Sequence, residues 1–315
     1  MTKIAIVGSG LIGRAWAITF ARAAFDVVLY DREAGAVDAA LAYIAGVLPS
    51  LADHDLLNGG APEKVMARLD GTASLEEALD GAAHIQENTP EDLEIKRLVF
   101  ADLERFASPD AVLASSTSAI LPSAFSEDLK TRSRCLVAHP INPPYLVPAV
   151  EVVPSPWTDA AAIERTADLM RQAGQAPIVM KREIDGFVMN RMQGALLDEA
   201  FRLVADGYAS PEDVDIGLRE GLALRWSFMG PFETIDLNAP GGVRDYVERY
   251  QSIYERIAPS QARRVDWAGP VLAKVEEDRR ARLPESDLGA RQKWRDRHLM
   301  ALAAHKRQAT DDIGN

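Results

Sequence analysis

The stretch from Lys3 to Arg32, KIAIVGSGLIGRAWAITFARAAFDVVLYDR, constrains this chain more than any other. Ile4, Ile6 and Val7 form a short β-branched run of the kind that is buried on both faces of a parallel sheet. It enters Gly8-Ser9-Gly10-Leu11-Ile12-Gly13, and Ala15 to Ala24 then has helix-forming composition. Val27 to Tyr30 reads as a second buried strand, closed by Asp31. Each part has a physical task in holding a dinucleotide. Gly8 permits the tight turn, Gly10 lets backbone approach a pyrophosphate, and Gly13 lets helix and strand pack closely. The N–H groups of Leu11 and Ile12 begin a helix whose positive dipole end faces the anion. Asp31, 18 residues after Gly13, stands where a carboxylate accepts from the ribose hydroxyls. An acid there repels a 2′-phosphate, so the expected cofactor is NAD rather than NADP, and Arg32 reads as a solvated neighbour.

A chain of 315 residues suits two domains, and the pattern changes near its middle. Residues 33–80 read as helices with a break at Asn58-Gly59-Gly60-Ala61-Pro62. Further short apolar runs follow at 84–86, 111–114, 135–138, 150–153 and 177–180, separated by helical segments at 91–106 and 158–173. This alternation predicts a doubly wound, mostly parallel α/β sheet of Rossmann type over residues 1–184. After Asp185-Gly186 no strand is expected. A long helix at 187–205, a Ser210-Pro211 helix start and a basic amphipathic tail at 290–307 point to a smaller all-helical domain over 185–315.

The net charge of −12 argues against nucleic acid or an anionic membrane as partner. No run of 18 apolar residues suggests a membrane span, and the chain enters a core strand at once, leaving no room for a signal peptide. Cys135 is the single cysteine, which fits a reducing cytoplasm, and its apolar setting reads as a buried thiol rather than a nucleophile.

Polar residues collect where the strands of such a sheet end, which is where doubly wound folds bind ligands. Glu87 ends the third apolar strand and is counted with the cofactor site. Ser118 follows the fourth, His139 the fifth, and Asn142 lies three residues on. A proline-stiffened turn, Pro143 to Pro148, leads to Glu151 on the returning strand and can bring it beside His139. A carboxylate on one imidazole nitrogen fixes the tautomer and leaves the other as a base. Oxidation of an alcohol by NAD needs such a base for the hydroxyl proton. Ser118 and Asn142 could hold the substrate oxygen. A His at a strand end is more often a satisfied polar residue, and the neighbouring nucleotide motif is what favours the chemical reading. His54, His84, His298 and His305 lack such a setting and read as surface or packing residues; no cluster has metal-ligand spacing.

Several segments resemble the 3-hydroxyacyl-CoA dehydrogenase family: HIQENTPEDLE, SSTSAILPS, VAHPINPPYLVPAVEVVP, GFVMNRMQ and SPEDVD. EGLALRWSFMGPFETIDLNAPGG and ARQKWRDRHLM are similar to its gulonate-oxidising branch rather than its acyl-CoA branch. The resemblance implies His139 as base and Glu151 as its partner, with Ser118, Asn142 and Asn190 near substrate and nicotinamide. It also implies NAD at Gly8, Gly10, Gly13 and Asp31, and a homodimer formed by the helical domain. Coenzyme A is polyanionic, whereas residues 38–80 hold eight acids (38, 53, 55, 63, 70, 76, 77, 80) against Lys64 and Arg68. That balance disfavours a CoA thioester and favours a free hydroxy acid, for whose carboxylate Arg225 is the candidate cation. The expected activity is NAD-dependent oxidation of a 3-hydroxyl, with L-gulonate preferred. The rivals are a 3-hydroxyacyl-CoA, L-carnitine or another short 3-hydroxy acid, and a crystallin-like NAD-binding protein without turnover.

Overall fold

The computed structural model describes residues 2–314. Eight strands form one sheet: β1 (Lys3–Val7), β2 (Asp26–Tyr30), β3 (Leu69–Thr72), β4 (Ala82–Glu87), β5 (Val112–Ser115), β6 (Cys135–Pro140), β7 (Ala149–Pro154) and β8 (Ala176–Val179). Their order is β3-β2-β1-β4-β5-β6-β7-β8, parallel throughout except for the antiparallel β6–β7 pair. The chain winds outward from β1 to β3, then restarts at β4 on the other flank of β1. That reversal places a topological switch point between β1 and β4, at the carboxyl edge where the glycine turn lies.

The central strands are apolar because helices cover both sheet faces. Ile4, Ile6, Val27 and Leu29 pack with Trp16 and Phe20 on one side, and Ala5, Val7, Ile85 and Phe100 fill the other. The helix Ala36–Asp53 is long and apolar enough, by length and composition, to cross a bilayer. It instead seats Ala40, Ile44, Leu48 and Leu51, spaced about one turn apart, in the first of these clusters.

β3 falls inside the segment read from sequence as helical. Its four residues, Leu-Asp-Gly-Thr, are half-exposed or exposed, and it is an edge strand held by pairing with β2 alone. Such a strand has no apolar alternation to betray it.

The chain divides into two compact units, the first running to Val188 and resuming at Asp296, the second spanning Met189–Arg295. The second contains only helices among its described residues, from Met189–Ala205 to Pro270–Arg282. The 185–315 assignment is therefore corrected at its far end. Leu299, Met300 and Ala303, in the helix Leu288–Ile313, pack on the first unit's core, and Arg307 pairs with Asp55 at 2.7 Å.

Candidate active site

The glycine turn shows which of its residues the protein itself requires. Gly8 has φ +89°, and a side chain there would meet the Asn88 carbonyl at 2.9 Å. A Cβ on Gly13 would run into the Gly8 carbonyl. Gly10 is different, because a Cβ there would touch no protein atom within 4 Å. Gly10 caps the helix Leu11–Arg22 with no side-chain oxygen, so the helix's first N–H groups keep their capacity for an anion. A bare position in front of an uncapped helix fits a pyrophosphate.

Asp31 sits at the end of β2 and is tied to the turn. Its Oδ2 accepts from the Ser9 N–H (2.8 Å) and hydroxyl (3.0 Å), and its Oδ1 from the Glu33 N–H (3.0 Å). A carboxylate has about four acceptor positions, so capacity remains for ribose hydroxyls. Beside it opens a cavity of about 420 Å³ lined by residues including Asp31, Gly35, Val37, Leu41 and Thr72. These residues fit the adenosine end of NAD.

Glu87 does not belong to that surface. It is fully buried, and its carboxylate accepts from Lys96 Nζ (3.0 Å), Ser115 Oγ (2.5 Å) and the Thr89 N–H (2.5 Å). The ion pair with Lys96, itself 1% exposed, consumes the side chain in joining β4, β5 and the helix Leu93–Phe106. Its place in the cofactor site is corrected on that ground.

His139 and Glu151 are direct partners across the antiparallel β6–β7 ladder, so their side chains share one face of the sheet. His139 Nδ1 lies 2.7 Å from Glu151 Oε2. His139 is 7% exposed and Glu151 wholly buried. The other carboxylate oxygen, Oε1, accepts the Val188 N–H at 2.6 Å. Phe187, between Gly186 and Val188, packs its ring 5.7 Å from the imidazole. It also has φ +48°, a left-handed backbone that costs a non-glycine residue about 1–2 kcal/mol.

The connection between β6 and β7 is held from outside. Arg22 donates to the Tyr145 carbonyl (2.8 Å) and Gln175 to the Pro144 carbonyl (3.1 Å), which fixes the proline turn that follows Asn142. Burial lowers Arg22 to about 10, which still leaves it cationic at neutral pH. Ser118 lies on the exposed turn after β5. Glu91 organises that turn: its Oε1 accepts from the Thr117 hydroxyl (2.6 Å) and from the N–H groups of Ser118 (2.9 Å) and Ala119 (3.0 Å). Sequence reasoning missed Glu91, although its place in the polar loop after β4 was the available signal. It also missed Ser116, which accepts from Trp16 Nε1 (3.0 Å) and donates to Asn88 (2.7 Å).

Asn190 and Arg225 belong to the second unit. Asn190 stands in the first turn of the helix Met189–Ala205 and lines a cavity of about 590 Å³ with Asp198, Arg264 and Trp267. Arg225 Nη1 lies 3.4 Å from Asn238 Oδ1. His84 is buried against Gln86 at 3.0 Å, and burial lowers it to about 4, as befits a packing residue. Burial likewise pushes the Cys135 thiol up to about 12, leaving an inert structural group.

A doubly wound sheet with this glycine turn, a terminal Asp31 and a buried His–Glu pair at its carboxyl edge defines an NAD-dependent dehydrogenase. The chain belongs to the 3-hydroxyacyl-CoA dehydrogenase family, whose NAD binding domain matches residues 3–184 and whose C-terminal domain matches residues 186–269. It is 42% identical to a lambda-crystallin homolog of Mus musculus over 308 residues, 97% of this chain and 96% of that one. It is 38% identical to an L-carnitine dehydrogenase of a Pseudomonas species over 247 residues, 78% of this chain and 76% of that one. Among solved structures, 5-formyl-3-hydroxy-2-methylpyridine 4-carboxylic acid 5-dehydrogenase, an NAD-dependent dismutase, matches with a TM-score of 0.82 and 27% identity, covering 96% of this chain and 97% of that one.

Proposed function

We propose that this enzyme oxidises the 3-hydroxyl of a small polar 3-hydroxy acid, with conversion of L-gulonate to 3-dehydro-L-gulonate as the preferred reaction. The observation that carries the reading is the buried His139–Glu151 contact of 2.7 Å. NAD, held by the Gly8-Gly10-Gly13 turn and Asp31, would supply the hydride acceptor. With Glu151 accepting from Nδ1–H, the imidazole keeps Nε2 as a lone-pair base, and the hydroxyl proton passes to it. The carbon loses a hydride, the oxygen a proton, and a ketone is left. The imidazolium so formed is stabilised by the Glu151 charge. Ser118, Asn142 and Asn190 position substrate and nicotinamide, and Arg225 is the candidate partner for the substrate carboxylate.

The choice of a free acid rests on charge. Residues 38–80 carry eight acids and two bases, and of those bases Arg68 is engaged by Asp26 at 2.9 Å. Such a surface repels the phosphates of coenzyme A. The same surface tolerates a quaternary ammonium group, which makes L-carnitine the second reading, in keeping with the similarity to a carnitine enzyme. The helical unit is assigned homodimerisation, and the compartment is the cytoplasm. A steady-state NADH-fluorescence screen over gulonate, carnitine, 3-hydroxybutyrate and 3-hydroxybutyryl-CoA tests the assignment. Gulonate should give the highest kcat/KM. A higher value for the CoA ester would overturn the substrate choice, and no turnover with any hydroxy acid would favour a structural role.

A further inference from the structure

Glu151 is held from the side opposite His139 as well, and the way it is held is unusual. The Val188 N–H reaches Oε1 at 2.6 Å only after two successive residues, Gly186 (φ +76°) and Phe187 (φ +48°), turn the chain in the left-handed sense. Glycine adopts that conformation freely, whereas a bulky aromatic residue rarely does. Phe187 is wholly buried in the core cluster that also holds Val137 and Val153 of β6 and β7, and its ring centroid lies 5.7 Å from that of His139. One residue therefore touches the base with its side chain and aims a backbone donor at the base's partner.

We infer that Phe187 is a positioning residue of the reaction: its left-handed backbone delivers the Val188 N–H to Glu151, which sets how much of the carboxylate's charge falls on His139. This rests on His139 being the base. The donors to the carboxylate include Nδ1–H of the imidazole and N–H of Val188, which share its negative charge. Removing the second leaves the imidazolium the stronger claim on that charge, so the proton on His139 is held more tightly. Across the sheet Glu151 is flanked by His139 and by Ile178 of β8, and Phe187 covers the imidazole. Among these neighbours only His139 and Glu151 titrate, and Asp185 on the same turn is exposed.

The test is the pH profile of kcat/KM for hydroxy-acid oxidation by the full-length enzyme, with NAD binding as the check on folding. Phe187→Val keeps an apolar side chain but opposes the left-handed backbone. It should move the acidic limb up by roughly half to one pH unit. Phe187→Gly accepts the backbone and lacks the ring that covers the imidazole; it should lower kcat, and because water then reaches His139 the control for the limb is the Val188 pair. Val188→Pro, at a position whose side chain is 40% exposed, deletes the N–H itself and should reproduce the shift, whereas Val188→Ala should not. Should a Phe187 variant fail to bind NAD, the Val188 pair decides. Limbs that stay fixed in Phe187→Val and Val188→Pro, or that move equally in Val188→Ala, would overturn the inference. The reading beneath it fails separately, if the wild-type limb survives in His139→Gln.

Discussion

Exchanging Glu151 for glutamine changes one atom and should disable the enzyme almost as fully as removing the base. The wild-type carboxylate accepts from His139 Nδ1–H at 2.7 Å and from the Val188 N–H at 2.6 Å. Glutamine has one accepting oxygen and one donating NH2. If the oxygen turns to Val188, the NH2 faces Nδ1, which must then accept, and the proton moves to Nε2, where a base must be bare. If the oxygen turns to His139, the NH2 meets the Val188 N–H, and a buried donor loses its partner. Either arrangement leaves an imidazolium without the neighbouring charge. A general base is worth about 10²–10⁴ in rate. A wrong-tautomer imidazole keeps little of that, so kcat/KM should fall by about 10²–10³, or about 3–4 kcal/mol. The glycine turn is untouched, so the Kd for NAD should stay within about twofold. Steady-state NADH fluorescence across pH 6–10, with NAD titrated separately, gives both numbers. A Glu151→Gln enzyme within threefold of wild type would refute the reasoning, since the tautomer would then be set by something else.

Three other outcomes follow from the geometry. Asp31→Ala should raise the Kd for NAD and narrow the gap to NADP, because the repulsion of a 2′-phosphate goes with the carboxylate; an unchanged NAD preference, read by parallel titrations, would place the ribose elsewhere. Lys96→Met should strand Glu87, wholly buried, without the cation 3.0 Å away. Stability should drop by about 3–5 kcal/mol, visible as an earlier first transition in urea, and a midpoint unchanged from wild type would contradict it. For His84 the folded value of about 4 lies below the ordinary 6.5, so the unfolded chain binds the extra proton. Its contribution is present above pH 6.5 and is lost as pH falls towards 4, up to about 3 kcal/mol. His84→Asn, compared with wild type by denaturant midpoints at pH 7.5 and 4.5, should lose less stability over that range; equal losses would exclude His84 as a cause.

The nucleotide half was legible because its requirements are local. Strand, glycines, helix and Asp31 occur in order within one supersecondary unit, and packing demands each in its place. The His139–Glu151 pair was legible for a related reason: a short proline-rich connection folds β7 back on β6, and the register of an antiparallel ladder does the rest. What escaped depends on contacts distant in sequence or on backbone. β3 is an edge strand whose four residues carry no pattern. Glu87 looked like one more polar residue at a strand end, and only the arrival of Lys96 from the next helix shows that its charge is spent inside. The C-terminal helix is basic and amphipathic wherever it docks, and nothing in its own residues says that Met300 packs on the first unit's core. Phe187 carries no sign in its residue type of its left-handed backbone.

The central claim is that His139 takes the hydroxyl proton of the substrate. Measuring kcat and the NAD dissociation constant for His139→Ala tests it most directly. A loss of about 10²–10⁴ in turnover with cofactor binding intact is the predicted result; turnover equal to wild type would contradict it.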